Sequence, residues 1–378
     1  MTRIFGFLFI GFFVFAACDD SKNSNSNNQN HLNNNNSNNL NNINNSNNTN
    51  NANNNNLNNL NNVNNANNVN NLNNTNNANN TNNNNPVYVD SSDPFDTGPL
   101  TVQFLEVAQG NSEAPKLIRI WHPQTPGTYA VVIFQHGFLM SSAWYSTMLS
   151  HLASHGFVVV APQMYAADGI PLGKPSTAEE AADAVDVRTW VDTQLPALLG
   201  TVVPYTALVG YVGHSRGGKV SWLVLKNNPT LAQAVAGVDP VDGTGGPFGG
   251  EERVVTGPFN FPFPSYVLGT GLGPQSSGFN QPCAPEGDNH VQFYAASASP
   301  AWHVVATEYG HNDMLDADAS CGMVCTVCAS GPTPALFLQL VSGHLTAFFR
   351  GALQQDATSF SVLTNTALAP VTITTENR

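Results

Sequence analysis

The sequence predicts an α/β fold, a doubly wound and mostly parallel sheet with helices on both faces. Three observations lead there. Short, nearly unbroken apolar runs rich in β-branched residues recur from residue 116 onward, as strands covered on both faces of a parallel sheet require. Segments with helical spacing and recognisable start and stop signals lie between them. At YVGHSRGGKV, residues 211–220, one such run breaks into glycines around a single serine, and a helical pattern follows. Alternating strands and helices select the α/β class, and the ligand site of such sheets lies beyond the carboxyl ends of the strands.

The elements follow in chain order. KLIRIW (116–121) and YAVVIF (129–134) are the first strands. SSAWYSTMLSHLASHG (141–156) reads as a helix, with Trp144, Met148, Leu149 and Leu152 on one stripe and Gly156 as its C-terminal stop. FVVVAP (157–162) is the next strand. In STAEEAADAVDVRTWVDTQL (176–195), Ser176 or Thr177 caps a helix with acids in its first turn, and Ala182, Val185, Trp190 and Val191 form the apolar stripe. Strands follow at ALVGYVG (207–213), AVAGVD (234–239), SYVLGT (265–270) and WHVVATEY (302–309), with a helix at RGGKVSWLVLKN (216–227). The insertion FGGEERVVTGPFNFPFP (248–264) is either a wall or lid over an apolar site or a surface loop whose phenylalanines pack onto the core.

Residues 1–85 stand apart from this pattern. Residues 1–18 start with Arg3, run apolar to Phe15 and close on Ala16, Ala17 and Cys18, the layout of a secretory signal. Cys18 after two alanines also resembles a bacterial lipobox, with Phe15 where leucine is usual, so the expectation is a lipid-anchored envelope protein, with cleavage and release as the alternative. Residues 19–85 are mostly asparagine from Asn23 onward, with guests such as Leu57, Leu60, Val63 and Ala66 at every third place. That period is neither helical nor strand-like, and so little apolar mass cannot offset the entropy of ordering. A disordered spacer is expected, an Asn-rich adhesive segment being the alternative. Residues 86–378 then form one large catalytic domain.

The net charge of −13 argues against nucleic acid as a partner. A monomer is expected, with membrane contact only through a lipid on Cys18. The remaining cysteines, Cys283, Cys321, Cys325 and Cys328, are even in number in an exported chain, which favours disulfides with the pairing left open. A zinc site is the competing reading.

The serine stretch carries the chemistry. Gly213-His214-Ser215-Arg216-Gly217 matches G-x-S-x-G between a strand and a helix, the context in which that motif forms a nucleophile elbow. A serine needs a histidine base held by an acid, and in α/β-hydrolases they follow in the order serine, acid, histidine. Asp239, at the end of the strand after the motif, is the favoured acid; Asp242, beyond Pro240 in a Gly-rich loop, reads as a turn residue. His311, past Gly310 and beyond the last strand, is the favoured base. His303 lies inside that strand, His290 in a loop and His344 on a late helix. The backbone N–H groups of Arg216 and Phe138 are the candidate oxyanion donors, with His136 bracing the earlier loop. Phe138, Met140, Met164 and Tyr165 near strand ends point to an apolar substrate group. Asp313, Asp316 and Asp318 lack the spacing of a calcium loop and read as caps. This chemistry requires neither metal nor organic cofactor.

These segments also resemble a known family. HGF (136–138), SHGFVVVAPQMY (154–165), GHSRGGK (213–219), GVDPVDG (237–243), GTGLGP (269–274), PCAPEGDNH (282–290) and YGHNDMLD (309–316) occur in the order and spacing of the chlorophyllases, from about Leu117 to Phe349. The resemblance implies an α/β-hydrolase fold, hydrolysis of the phytyl ester of chlorophyll, and Ser215, Asp239 and His311 as nucleophile, acid and base. The leader and the asparagine spacer depart from a plastid enzyme, and no plastid transit peptide is visible. The resemblance therefore supports ester hydrolysis more than it supports chlorophyll. Polyester-cleaving, cutinase-like or lipase-type enzymes share the architecture, and a tethered binding protein without catalysis is the rival from another class.

Overall fold

The computed structural model describes residues 87–165, 175–243, 252–278 and 280–378. The leader with Cys18, the asparagine spacer and residues 248–251 of the phenylalanine-rich insertion lie outside the described residues.

Among the described residues the strands form one nine-stranded sheet, ordered β1-β2-β4-β3-β5-β6-β7-β8-β9. Its elements are β1 (Val102–Val107), β2 (Leu117–Pro123), β3 (Gly127–Gln135), α1 (Ser146–Ser154), β4 (Phe157–Gln163), α2 (Thr177–Thr193), α3 (Leu195–Leu199), β5 (Val202–His214), α4 (Arg216–Asn227), β6 (Ala234–Val238), β7 (Ser265–Thr270), α5 (His290–Ala296), β8 (Ala301–Ala306), α6 (Pro334–Leu353) and β9 (Ile373–Asn377). The central strands β4, β3, β5, β6, β7 and β8 run parallel. Strands β1, β2 and β9 are antiparallel additions at the two edges. This is the fold of an α/β-hydrolase.

Why the central strands read as unbroken apolar runs is now physical. Along β3, Ala130, Val132 and Phe134 enter one core, while Tyr129, Val131 and Ile133 enter the other. Strand β4 divides likewise, Phe157 and Val159 on one side and Val158 and Val160 on the other. Helices α1 and α6 cover the first face, and α2, α3, α4 and α5 cover the second. Full burial of each such side chain stabilises the fold by about 1.5–3 kcal/mol.

The helix signals act where the sequence places them. Ser176 accepts from Glu179 N–H while the Glu179 carboxylate takes the Ser176 N–H, a complete capping box on α2. Gly156, at φ +87°, stops α1. The predicted stripe of α2 is rotated, however. Ala181, Ala184, Val187, Trp190 and Val191 are buried, whereas Ala182 and Val185 face solvent. Alanines on both sides of this helix blur its apolar face, so Trp190 and Val191 alone marked it correctly. Edge strands β1 and β9 have mixed, half-exposed patterns and carry no alternation strong enough to announce them.

A buried polar cluster anchors the start of the described chain. Asp90 pairs with Arg350 of α6 and with His155 at the end of α1, and it accepts from Ser92 N–H. Arg350 also donates to the Ser92 carbonyl, 2.6 Å, and Gln354 to that of His155, 3.0 Å. Burial works against the Asp90 charge, but His155, the Ser92 N–H and Arg350 outweigh it and hold the carboxyl well below its usual range. A depressed carboxyl stabilises the fold above its unfolded value, about pH 4, and loses that contribution as pH falls toward the folded value. Asp90→Asn should therefore leave Arg350 buried without its anion and cost about 3 kcal/mol at pH 7. Thermal unfolding checks this, and an unchanged midpoint would show that the cluster does not hold the segment.

Candidate active site

Strand β5 ends at His214, α4 begins at Arg216, and Ser215 between them sits at φ 55°, ψ −122°. A non-glycine residue pays about 1–3 kcal/mol to stay in such a conformation, so its surroundings must enforce it. They do. Ser215 N–H donates to Val238 O of β6 at 3.1 Å, and its carbonyl accepts from Gly218 N–H at 3.0 Å. A Cβ on Gly217 would collide with the Gln135 carbonyl at the end of β3, and one on Gly213 with the Gly217 backbone. Both glycines of G-x-S-x-G are thus required by backbone crowding, and the turn pushes Ser215 to the mouth of a cavity.

Asp239 follows β6 directly, also with positive φ, 42°. It is fully buried. Its carboxylate accepts from Thr270 N–H at 3.1 Å, from the Thr270 hydroxyl at 2.7 Å and from His311 Nδ1 at 2.6 Å. Burial alone would raise its pKa; the hydrogen bond and charge of His311 and the contributions of His290 and Thr270 outweigh that and hold the carboxyl below its usual range. An ionised Asp239 accepts, so the proton of His311 lies on Nδ1 and Nε2 carries the lone pair. His311 is carried on a loop stapled from below. Asp313 accepts from Gly310 N–H and Gly331 N–H, each 2.7 Å, and from the Ser330 hydroxyl, 2.5 Å. Asn312 donates to Val324 O at 2.5 Å.

Ser215, His311 and, behind it, Asp239 therefore meet at one place, and the other candidates do not. Asp242 points away to Val254 N–H, 2.6 Å, and Val255 N–H, 3.0 Å. It pins an incoming loop where a simple turn residue was expected. His290 and His303 bond each other at 2.8 Å, and His303 reaches Glu376 of β9 at 2.7 Å. His344 bonds the Tyr266 hydroxyl inside the core, where burial lowers its pKa to about 3. Asp316 accepts from Thr147 N–H at the start of α1. Asp316 thus caps the first turn of α1, whereas Asp313, expected to cap a helix, ties loop backbone instead, because among the described residues no helix begins just after His311.

The loop after β3 is braced on both sides of Phe138. His136 Nδ1 donates to the Gly137 carbonyl, 2.8 Å, and its Nε2 accepts from Met164 N–H, 3.0 Å. Burial keeps this ring neutral, its pKa lowered to about 4. Gly137 N–H donates to the Tyr145 hydroxyl and Leu139 N–H to that of Tyr165, both 3.2 Å. The Arg216 guanidinium pairs with buried Glu180 at 2.8 Å and stands 5.9 Å over the Phe138 ring. Phe138 and Arg216 line the same cavity as Ser215 and His311.

That cavity measures about 450 Å³ and is mostly apolar. Phe138, Leu139 and Met140 line it, as do Pro282, Pro285, Val324 and Val327. The Cys283–Cys328 disulfide joins the 282–285 and 324–328 parts of this lining, and Cys321–Cys325 closes a small loop in the same segment. With all four cysteines paired, the competing zinc reading has no ligands. Phe259, Phe261 and Phe263 stack on one another and pack onto the core beside α4 and α5, so the described part of the 248–264 insertion follows the second of its two readings and not that of a lid. One apolar expectation needs correction. Met164 is buried in that same core, and Tyr165 turns its hydroxyl to the Leu139 backbone. Sequence reasoning overlooked Tyr145, Thr270 and the side chain of His214. Only His214 was signalled, by its place inside the serine motif.

A proton held between His311 Nδ1 and Asp239 should give a far-downfield signal in ¹H NMR. Asp239→Asn should abolish it and Asp242→Asn should leave it in place. Its survival in Asp239→Asn would contradict the geometry described.

The chain is similar to known proteins. The family model "Chlorophyllase" matches residues 90–378. Chlorophyllase-1 of Arabidopsis thaliana is 39% identical over 225 residues, 56% of this chain and 67% of that protein. Chlorophyllase-2 of the same plant is 33% identical over 264 residues, 66% of this chain and 81% of that protein. The chloroplastic Chlorophyllase-1 of Citrus unshiu is 36% identical over 267 residues, 68% of this chain and 79% of that protein. With its family match running from the buried Asp90 anchor to the last residue, the chain belongs to the chlorophyllase family, and with it to the carboxylic ester hydrolases.

Proposed function

We propose that this protein hydrolyses esters with a large apolar group through an acyl-enzyme on Ser215. The observation that carries the reading is the hydrogen bond from His311 Nδ1 to buried Asp239, with His311 and Ser215 lining one apolar cavity. Nε2 of His311 takes the Ser215 proton as Oγ attacks the ester carbonyl. The backbone N–H groups of Phe138 and Arg216, the latter at the first turn of α4, receive the developing oxyanion. His311 then returns the proton to the departing alkoxide, which leaves as the alcohol. Water, deprotonated by the same Nε2, attacks the acyl-serine and releases the acid. Asp239 stays ionised throughout and stabilises the charged imidazole.

The substrate class follows from the walls. A cavity of about 450 Å³ lined by Phe138, Leu139, Met140, Val324 and Val327 favours a long hydrocarbon on one side of the ester. The phytyl ester named by the family is one such substrate; long acyl esters and polyester oligomers are others. Two disulfides suit an oxidising compartment. Together with the leader, they support an exported enzyme, anchored through Cys18 and reaching outward on the asparagine spacer. The domain order proposed is leader to residue 18, spacer to residue 85 and hydrolase from residue 86.

Hydrolysis of p-nitrophenyl esters tests the reading. Ser215→Ala should lose at least about 10³-fold in kcat, since the members of a triad act as a unit. kcat/KM should rise from acetate to octanoate, each added methylene contributing up to about 0.8 kcal/mol. Chlorophyll, triglyceride and a soluble polyester oligomer then rank the natural candidates. Tight binding without turnover of any ester would favour the binding-protein reading instead.

A further inference from the structure

Inside the serine motif, His214 has both ring nitrogens committed. Its Nε2 lies 2.9 Å from the backbone carbonyl of His311, and its Nδ1 lies 2.8 Å from the Tyr145 hydroxyl. A carbonyl only accepts, so the ring proton is on Nε2 and Nδ1 is a lone pair. The Tyr145 hydroxyl must then donate to Nδ1. Met140 Sδ, 2.7 Å from that hydroxyl, is the weaker acceptor. The oxygen of Tyr145 in turn accepts from Gly137 N–H at 3.2 Å. One directional chain results, from Gly137 N–H to Tyr145, to His214, to the His311 carbonyl. All of these groups are buried, and burial, with His311 beside it, keeps the His214 ring neutral, well below histidine's usual range.

This chain crosses three separate pieces of the site. Gly137 precedes Phe138 in the loop after β3, His214 precedes Ser215 at the elbow, and His311 belongs to the loop after β8. The ring of His214 also lies 4.6 Å from that of His311, centroid to centroid, so His311 is held by Asp239 at Nδ1 and by His214 through its backbone. A Cβ on Gly137 would come 3.1 Å from His214 Nδ1 and 2.6 Å from Met140 Sδ, so a side chain there would crowd this path and require Met140 to move.

We infer that His214 and Tyr145 are positioning residues for ester hydrolysis, fixing the base loop and the oxyanion loop at one separation across the nucleophile. Neither touches the reacting atoms; both act through backbone they hold. The inference rests on the serine-hydrolase reading above. Displacement of a reacting group by about 1 Å costs on the order of 100-fold in rate, and neither side chain lines the cavity, so the loss belongs in kcat.

The test is steady-state hydrolysis of a short p-nitrophenyl ester by the full chain. Tyr145→Phe and His214→Leu should each lower kcat by about 10- to 100-fold with KM within about twofold. The double variant should be no worse than the poorer single one, because the two residues form one path. His214→Gln, whose amide N–H can still reach the His311 carbonyl, should recover much of the activity lost in His214→Leu. Should His214→Leu fail to fold, Tyr145→Phe and His214→Gln carry the test. Wild-type kcat in Tyr145→Phe, or losses that multiply in the double variant, would overturn the inference. Ser215→Ala keeps the two readings apart: if it retains activity the nucleophile is wrong, whereas an inactive Ser215→Ala beside unimpaired His214→Leu removes only the positioning role.

Discussion

Two backbones crowd together beside Ser215: Gly217 at the start of α4 lies against the Gln135 carbonyl at the end of β3, with no room for a side chain. Everything at the site depends on that contact. It forces the chain to turn within one residue from strand to helix, which leaves Ser215 at φ 55°. It also brings the loop after β3 beside the first turn of α4, so that Phe138 and Arg216, from two distant segments, line one cavity. A bulkier residue at position 217 would push Ser215 away from the loop after β3 even if Ser215 kept its conformation.

The proposed acid and base are added to this frame by the neighbouring strands. Parallel strands put the loops after β5, β6, β7 and β8 at one edge of the sheet, and each contributes one piece. Ser215 follows β5, Asp239 follows β6, Thr270 ends β7 and holds Asp239, and His311 follows β8. The base loop is the least regular piece and is the most heavily stapled, by Asp313, by Asn312 and by the cross-linked 321–328 segment. The Cys283–Cys328 bond thus has two effects, closing the apolar wall and backing the loop that carries the base.

Much of this was legible in the sequence because the relevant physics is local. The runs YAVVIF and SYVLGT are apolar throughout because both faces of their strands are covered, and Ser176 with Glu179 marks a helix start by direct bonding. G-x-S-x-G is readable because each glycine answers a specific collision. What escaped depends on partners far apart in the chain. Tyr145 looks like one more aromatic on a helical stripe until His214 is found 2.8 Å away. Thr270 is only the last residue of a strand until Asp239 lies beneath it. The phenylalanines of the 248–264 insertion left a lid and a core-packed loop both open, because composition reports apolarity and not direction; those described pack onto the core. Edge strands β1 and β9 were silent for a related reason, since pairing on one side and exposure on the other leave no periodic mark.

The central claim is that Ser215 is the nucleophile, raised by a strained turn and deprotonated by a histidine that Asp239 orients. A fluorophosphonate that phosphonylates activated serines tests it without any assumption about the substrate. Peptide mapping by mass spectrometry should find one stoichiometric adduct, on the peptide containing Ser215, formed far more slowly in Asp239→Asn. Absence of labelling there under conditions that modify other serine hydrolases, or an adduct formed at equal rate in Asp239→Asn, would contradict the account.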